Sequence, residues 1–251
     1  MLAALYGQLV PHSWRGPESE HAPHALFYRQ SLAMGWLDDR SAGGEAQPTM
    51  RRAPGLWALN DAGFQHPRAP EGLLCWFQVE ASAVADDRPL PVRPFLRCAV
   101  DVAARLGTLT LSTVRLLLPM QGVDAGARAA YAPVPSMLTA ASFAESDPST
   151  RTSVTISVDT EAGSPVDIAG QLAALDQDVF TVTGVSRPPP HDGPRPPIDE
   201  LFWASSENGL TLRGDLVAWS SDAIGWVAEV VADLIGQHAP RAPLLFTATR
   251  T

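Results

Sequence analysis

The sequence contains no lysine, and all 18 of its basic residues are arginines. This absence excludes several classes of catalytic protein. Enzymes that hold pyridoxal phosphate as a Schiff base, P-loop nucleotide-binding proteins, protein kinases and serine–lysine hydrolases all need a lysine at the reactive centre. The abundance of alanine, glycine and proline suggests that the bias comes from GC-rich coding more than from selection for guanidinium chemistry.

Cysteines and long apolar runs are also scarce. The two cysteines, Cys75 and Cys98, lie in a predicted strand and a predicted helix, which indicates buried apolar thiols rather than a disulfide or a redox pair. The longest apolar runs fall far short of the roughly 20 residues that cross a bilayer. The first residues lack the regions of a signal peptide. We therefore expect a soluble cytoplasmic protein that is not inserted in a membrane.

The net charge of the chain is −9, so no general attraction to a phosphate backbone is expected and nucleic-acid binding is disfavoured. An apolar content of 45% over 251 residues is enough for a full core, in one large domain or two small ones. The sequence has no Gly-x-Ser-x-Gly elbow and no cofactor motif. It therefore predicts no catalytic residue, no bound metal and no cofactor.

The clearest pattern lies in residues 201–251. Residues 210–219 alternate between two faces, which is typical of a half-buried strand. The pair Asn208 and Gly209 favours a tight turn that would join this strand to a predicted strand at 201–205. Apolar residues from Ile224 to Ile235 then follow at helical spacing. A last strand is predicted at 243–249.

The rest of the chain repeats this order of elements. In residues 1–118 the pattern predicts, in sequence, a strand at 2–10, a helix near 26–37, strands at 55–60 and 73–84, a helix at 95–106 and a strand at 108–118. A turn is predicted at 60–63, between the two middle strands. In residues 151–251 it predicts a strand at 152–160, a helix at 165–179 and a strand at 180–185, followed by the elements above and preceded by a proline-bearing connection.

These patterns predict an α+β fold. The repeated order favours a tandem of two ferredoxin-like βαββαβ units with antiparallel sheets and with helices on one face. The first unit would be residues 1–118, the connection 119–150, and the second unit 151–251. The alternative is a single α+β domain with one mixed or antiparallel sheet.

The densest cluster of titratable side chains is in the N-terminal region: His12, Glu18, Glu20, His21 and His24. The spacing of His21 and His24 could bring two imidazoles to one metal if both lay on a helix. Pro23 falls inside that spacing and argues against the helix. We therefore interpret the cluster as a solvated loop.

A second group of candidate functional residues is spread over several predicted strands. If the helices cover one side of each sheet, the other side presents tryptophans with a few polar groups, as a ligand floor or a partner surface needs. Ser157 and Asp159 would lie beside this set. The alternative is a wet sheet face or an interface between the two halves. The candidate binding residues are Trp76, Gln78, Glu80, Arg213, Asp215 and Trp219.

Two functions follow from these patterns. The first is a non-catalytic cytoplasmic binding protein, such as an adaptor, an immunity-type inhibitor, a chaperone or an assembly subunit, that uses an acidic, Trp-bearing surface to bind a protein partner. The second is a small-molecule enzyme or ligand binder with a cavity between two sheet faces. The first hypothesis is preferred.

Overall fold

The computed structural model describes residues 1–14, 22–38, 56–81, 90–120, 135–160, 167–187, 198–203, 209–236 and 242–251. Within these residues it is an α+β structure with eight strands and five α-helices. The α+β prediction is confirmed. Asn208 of the predicted turn and residues 121–134 of the predicted connection lie outside the described residues.

The strands are β1 (Leu2–Pro11), β2 (Trp57–Gly63), β3 (Leu73–Ala81), β4 (Gly107–Leu118), β5 (Thr152–Thr160), β6 (Phe180–Ser186), β7 (Leu210–Leu216) and β8 (Leu244–Arg250). The α-helices are α1 (Ala22–Ala33), α2 (Val92–Leu106), α3 (Ile168–Ala174), α4 (Ile198–Trp203) and α5 (Ser221–Gly236). Two 3₁₀ segments, Pro135–Phe143 and Pro148–Thr150, precede β5.

All eight strands form one sheet in the order β2-β3-β1-β4-β8-β5-β7-β6. Every neighbouring pair is antiparallel. Residues 1–118 supply the first four strands and residues 151–251 the other four. The pairing of β4 with β8, from Thr113 opposite Thr249 to Leu118 opposite Leu244, makes the sheet continuous.

One side of the sheet, which we call the helical face, carries the main core. Strand alternation directs apolar side chains such as Leu5, Phe77 and Ile156 to this side, where α1, α2, α3 and α5 cover them. Every residue of α5 from Ala223 to Ile235 is buried, because α5 packs against both α2 and the sheet.

The opposite side, which we call the α4 face, carries a smaller cluster formed around α4. Its buried members are Ala4, Tyr6, Trp76, Leu201, Phe202, Trp203 and Leu245. His66 stacks on Trp203 with 3.9 Å between ring centroids. The prediction that helices cover only one face is therefore wrong for α4.

The prediction of a strand at 201–205 is also wrong, because its first three residues belong to α4, which ends at Trp203. Residues 204 and 205 lie outside the described residues. A strand would send Leu201 and Trp203 to one side and Phe202 to the other. As a helix, this segment brings all three side chains into the α4 cluster. The partners of β7 are instead β5 and β6.

Two further boundaries differ from the prediction. The turn expected at 60–63 is part of β2, where a register shift between Leu59 and Asp61 accommodates the extra residue as a bulge. The helix expected at 165–179 is limited to α3, which begins after Asp167. The Asp167 carboxylate accepts a hydrogen bond of 3.0 Å from the Gly170 amide and so caps the helix.

Candidate ligand cavity on the α4 face

Register places a row of polar side chains across the middle of the α4 face. Arg115 on β4 lies opposite Thr247 on β8, and Thr247 lies opposite Ser157 on β5. In the next row Thr113 lies opposite Thr249, and the two hydroxyls are 3.3 Å apart. The seam between the two halves of the sheet is therefore polar on this face.

A cavity of about 380 Å³ lies over this seam. Its floor is formed by the strand residues of the two rows, and its rim by Tyr6 and residues 70–72. Ligand pockets in proteins commonly have volumes of roughly 300–1,000 Å³. The cavity is therefore large enough for a small organic ligand or for a side chain of a partner.

Arg115 is the buried charged group of the cavity wall. Its side chain is 7% exposed, and Nη1 donates a hydrogen bond of 2.8 Å to the carbonyl oxygen of Phe202 in α4. The guanidinium carbon lies 5.8 Å from the centroid of the Tyr6 ring. Burial lowers the pKa of Arg115, and the nearby Tyr6 partly offsets this effect. Arg115 therefore fixes the end of α4 and brings a buried positive charge to the cavity.

Two hydroxyl groups of the cavity wall are buried without a hydrogen-bond partner among the described residues. They are Tyr6 Oη and Thr247 Oγ1. Burial also raises the pKa of Tyr6, which keeps its hydroxyl protonated. A buried polar group without a partner costs about 1–3 kcal/mol, so such groups are uncommon unless they serve a ligand or a structural water.

Trp76 has a structural position. It is buried in the α4 cluster, its Nε1 donates a hydrogen bond of 3.1 Å to the Gln65 carbonyl, and its ring meets His66 and Trp203 edge to face. It is thus not part of an exposed surface.

Gln78 and Glu80, on the same strand, are exposed on the α4 face. Glu80 lies near the amino group of Met1, which donates a hydrogen bond of 2.7 Å to the Val79 carbonyl. Burial lowers the pKa of this amine to about 6, and the charge of Glu80 acts in the opposite direction. Glu80 pairs with Ala58 of β2 near the end of β3, whereas Leu73, at the start of β3, pairs with the cavity residue Tyr6, so Glu80 does not line the cavity.

Arg213 and Asp215 share the α4 face of β7. Arg213 is exposed, and the Asp215 carboxylate accepts a hydrogen bond of 2.7 Å from the Ser153 hydroxyl. Trp219 does not share this face, which corrects the prediction. Since β7 ends at Leu216, strand alternation no longer sets its direction; Trp219 packs against the main core, and its Nε1 donates to the Leu111 carbonyl at 2.9 Å.

The structure thus brings together a different set of residues from the one that the sequence suggested. Of the predicted constellation, Ser157 lines the cavity, whereas Asp159 is buried further along β5. Sequence reasoning missed Tyr6, Arg115 and Thr247. Arg115 could have been identified from the sequence, because an arginine within an apolar, buried strand such as β4 is unusual unless its charge is paired or binds a ligand.

The histidine cluster and the cysteines do not form a metal site in the described parts of the chain, where no group of three or more His, Cys, Asp or Glu side chains is suitably placed. His12 stacks on Trp14 with 5.4 Å between ring centroids, and His24 is exposed in α1. Glu18, Glu20 and His21 lie outside the described residues.

Cys75 and Cys98 are buried free thiols, as predicted, and burial raises their pKa values to about 12 and about 11.

A second cavity of about 530 Å³ lies on the opposite side, between α1, α2, α5 and the first 3₁₀ segment. Its two arginines are both paired. Arg93 binds Glu229 with 2.8 Å between Nε and Oε2, and Arg97 binds Asp222. Burial raises the pKa of Glu229 to about 7, although the guanidinium of Arg93 opposes this shift. These charges hold the helices together.

No protein-family model, curated protein or solved structure matches this chain. None of the helices in the described ranges combines the length and apolar character that crossing a membrane requires. A functional assignment therefore depends on the geometry of the site itself.

Proposed function

We propose that this protein is a non-catalytic cytoplasmic binding protein that engages a protein partner through the α4 face of its sheet. The observation that carries this proposal is the unequal covering of that face. Over β1 and β3 it is covered by α4, whereas over β5 and β7 its side chains are polar and exposed or half-buried. These residues are Ser153, Thr155, Thr211, Arg213 and Asp215.

The chemistry of this surface suits recognition of a protein. Arg213 and Asp215 offer both signs of charge within one strand, and the neighbouring hydroxyls can donate or accept hydrogen bonds. Mixed polar surfaces of this kind specify a partner through complementary charges and hydrogen bonds. The cavity adjoins this surface through Ser157 and provides a recess for one projecting group.

The test is co-expression with the products of the adjacent genes, followed by co-purification. Thr155→Arg and Thr211→Arg place a large charged side chain in the middle of the surface and should reduce complex formation at least tenfold. Ser149→Arg adds the same side chain at an exposed position outside the sheet and should leave the complex intact. A complex that tolerates both blocking substitutions would sink the proposal.

A second function, small-molecule binding, is favoured by the buried hydroxyls of Tyr6 and Thr247. The cavity that was expected between two sheet faces, with Trp76, Glu80, Arg213 and Asp215, is replaced by one on the α4 face of a single sheet. Native mass spectrometry of the purified protein tests this function. A bound small molecule that is lost on Tyr6→Phe substitution supports it, and a protein free of any retained molecule argues against it.

We also propose that the chain is a tandem of two ferredoxin-like units, residues 1–118 and 151–251. In support, the strand order from the seam outward is β4-β1-β3-β2 on one side and β8-β5-β7-β6 on the other, the same permutation of four strands. A circular permutant that starts at residue 151 and joins residue 251 to residue 1 by a long flexible linker should keep the fold. Failure to fold would argue against two complete units.

A further inference from the structure

Three side chains of the cavity wall combine into one potential anion-binding group. Arg115 and Thr247 are direct cross-strand neighbours, so their β-carbons are about 5 Å apart. Tyr6 lies beside them, with its ring under the guanidinium of Arg115. All three side chains are 7% exposed and line the same cavity. They come from β1, β4 and β8, three adjacent strands of a rigid sheet.

The two hydroxyls are donors that a bound acceptor could satisfy. Neither Tyr6 Oη nor Thr247 Oγ1 has a hydrogen-bond partner among the residues that the structure describes. Thr249, one position further along β8, differs in that its hydroxyl already pairs with Thr113. The unsatisfied donors therefore lie beside the buried charge rather than along the whole polar seam.

The charged groups that line the cavity fit an anion of low charge best. Arg115 contributes one positive charge, and burial strengthens its interaction with any anion that enters. Glu71 on the rim opposes a second negative charge, as does the net charge of −9. A carboxylate carries one charge and has two oxygens that can accept from several donors.

We propose that this cavity is a carboxylate-binding site, in which Arg115 supplies the charge and Tyr6 and Thr247 donate hydrogen bonds to the carboxylate oxygens. The proposal rests on the cavity being a ligand site, as suggested above. The carboxylate has two potential sources, which share one chemistry. It belongs either to a small organic acid or to the protein partner, as an acidic side chain or a chain end.

The experiment titrates the full chain with defined carboxylates at constant ionic strength, using isothermal calorimetry and the Nε–Hε resonance of Arg115 in a ¹⁵N-labelled sample. The probes are acetate as a small acid, N-acetylglutamate α-amide as an acidic side chain, and N-acetylglycine as a chain end. Acetamide is the neutral control for the carboxylate group, and inorganic phosphate is the control for its charge.

We expect saturable binding of at least one carboxylate, and no saturable binding of acetamide. Tyr6→Phe and Thr247→Val should each weaken it roughly tenfold, because each removes one hydrogen bond to a charged group. Tyr28→Phe in α1 and Thr183→Val on β6 make the same atomic changes outside the cavity and should leave the affinity unchanged. Whichever probe binds most tightly identifies the source.

Three results would overturn the inference: no saturable binding by any carboxylate, equal binding of acetamide, or tighter binding of phosphate than of every carboxylate. Unchanged affinity in both cavity variants would do the same. The outcome is separable from that of the protein-binding proposal. If a carboxylate binds but the complex is unaffected by Thr155→Arg, only the protein-binding proposal is rejected. If no carboxylate binds but Thr155→Arg disrupts the complex, only the carboxylate site is rejected.

Discussion

The halves of the sheet on either side of the β4–β8 seam bury their helical faces alike but differ on the α4 face. On the helical face, Phe77 of the first half and Ile156 of the second are both almost completely buried. On the α4 face the first half presents Ala4 and Trp76 beneath α4, whereas the second presents the half-buried Thr155 and the exposed Arg213. The same order of strands thus supports a helix-covered α4 face in the first half and a polar α4 face in the second.

The difference arises from unequal connections. Between β6 and β7 the chain forms α4, which crosses onto the first half, whereas between β2 and β3 it forms the loop that ends at the cavity rim. The Gly7 amide on β1 holds this loop by donating a hydrogen bond of 3.0 Å to the Gly72 carbonyl. Gly7 also allows β4 to approach closely, since a β-carbon there would collide with the Thr110 carbonyl. The cavity therefore lies between the β2–β3 loop and the strands of the seam.

The largest effect should come from the ion pair that joins the halves on their shared helical face. Arg93 of α2 binds Glu229 of α5 through its Nε and its backbone amide, and Glu229 is 2% exposed. Above about pH 7, where Glu229 is ionised, Arg93→Ala leaves this carboxylate without its guanidinium partner and should lower the free energy of unfolding by about 3–5 kcal/mol in urea titrations. Arg97→Ala, which breaks the more exposed pair with Asp222, should cost less than about 1 kcal/mol. A loss in Arg93→Ala no larger than that in Arg97→Ala would show that the buried pair stabilises the fold no more than the exposed one.

The same pair predicts how stability depends on pH. The pKa of Glu229 is raised from 4.5 to about 7 in the folded protein, mainly by burial, so the folded state binds its proton more tightly than the unfolded state. Its contribution is fully present below about pH 4.5 and is lost as the pH rises to about 7. The change is on the order of 3 kcal/mol. Urea titrations at intermediate pH values measure it, and Glu229→Gln should flatten the profile. A profile that rises between pH 5 and 7 and keeps its slope in this variant would contradict the assignment.

The third effect concerns the face on which the halves differ. Trp203→Ala removes the side chain that joins α4 to His66 and Trp76. The expected loss of unfolding free energy is about 2–3 kcal/mol, below the usual range for a buried tryptophan because α4 can detach locally. Hydrogen exchange should accelerate in α4 while the helical face stays protected. Trp14→Ala, at a tryptophan that is 75% exposed, is the control. Unchanged exchange in α4 would mean that this cluster does not hold the helix.

The strands and long helices could be predicted because their patterns are local. Local spacing indicates which side of an element is buried, as in the alternation of Val154, Ile156 and Val158 in β5 and the helical spacing of Ile224 and Val227 in α5. The segment at Leu201–Trp203 lacks such a record. Three consecutive apolar residues fit either a buried strand or a short helix, and only the apolar surface of β1, β3 and β8 decides between them.

The cavity could not be predicted because its residues come from β1, β4 and β8, which adjoin only through pairing between distant parts of the chain. Sequence reasoning identified the outward faces of β3, β5 and β7 but did not place β4 beside β8. Without that seam, Tyr6, Arg115 and Thr247 are unrelated positions. The prediction for Trp219 failed for a local reason, since alternation extends no further than the last strand residue, Leu216.

The smallest expected effect is an increase in the free energy of unfolding. If the Thr247 hydroxyl is held for a ligand, the free protein loses stability by burying it without a partner. Thr247→Val should therefore raise the unfolding free energy by about 1 kcal/mol in the absence of ligand. Thr249→Val is the matched control on the same strand; its hydroxyl is bonded to that of Thr113, so its removal should be neutral or destabilising by up to about 1 kcal/mol. Urea titrations of both variants decide the question. If Thr247→Val destabilises the protein as much as Thr249→Val, the hydroxyl serves the fold, and the two threonines are equivalent parts of the seam.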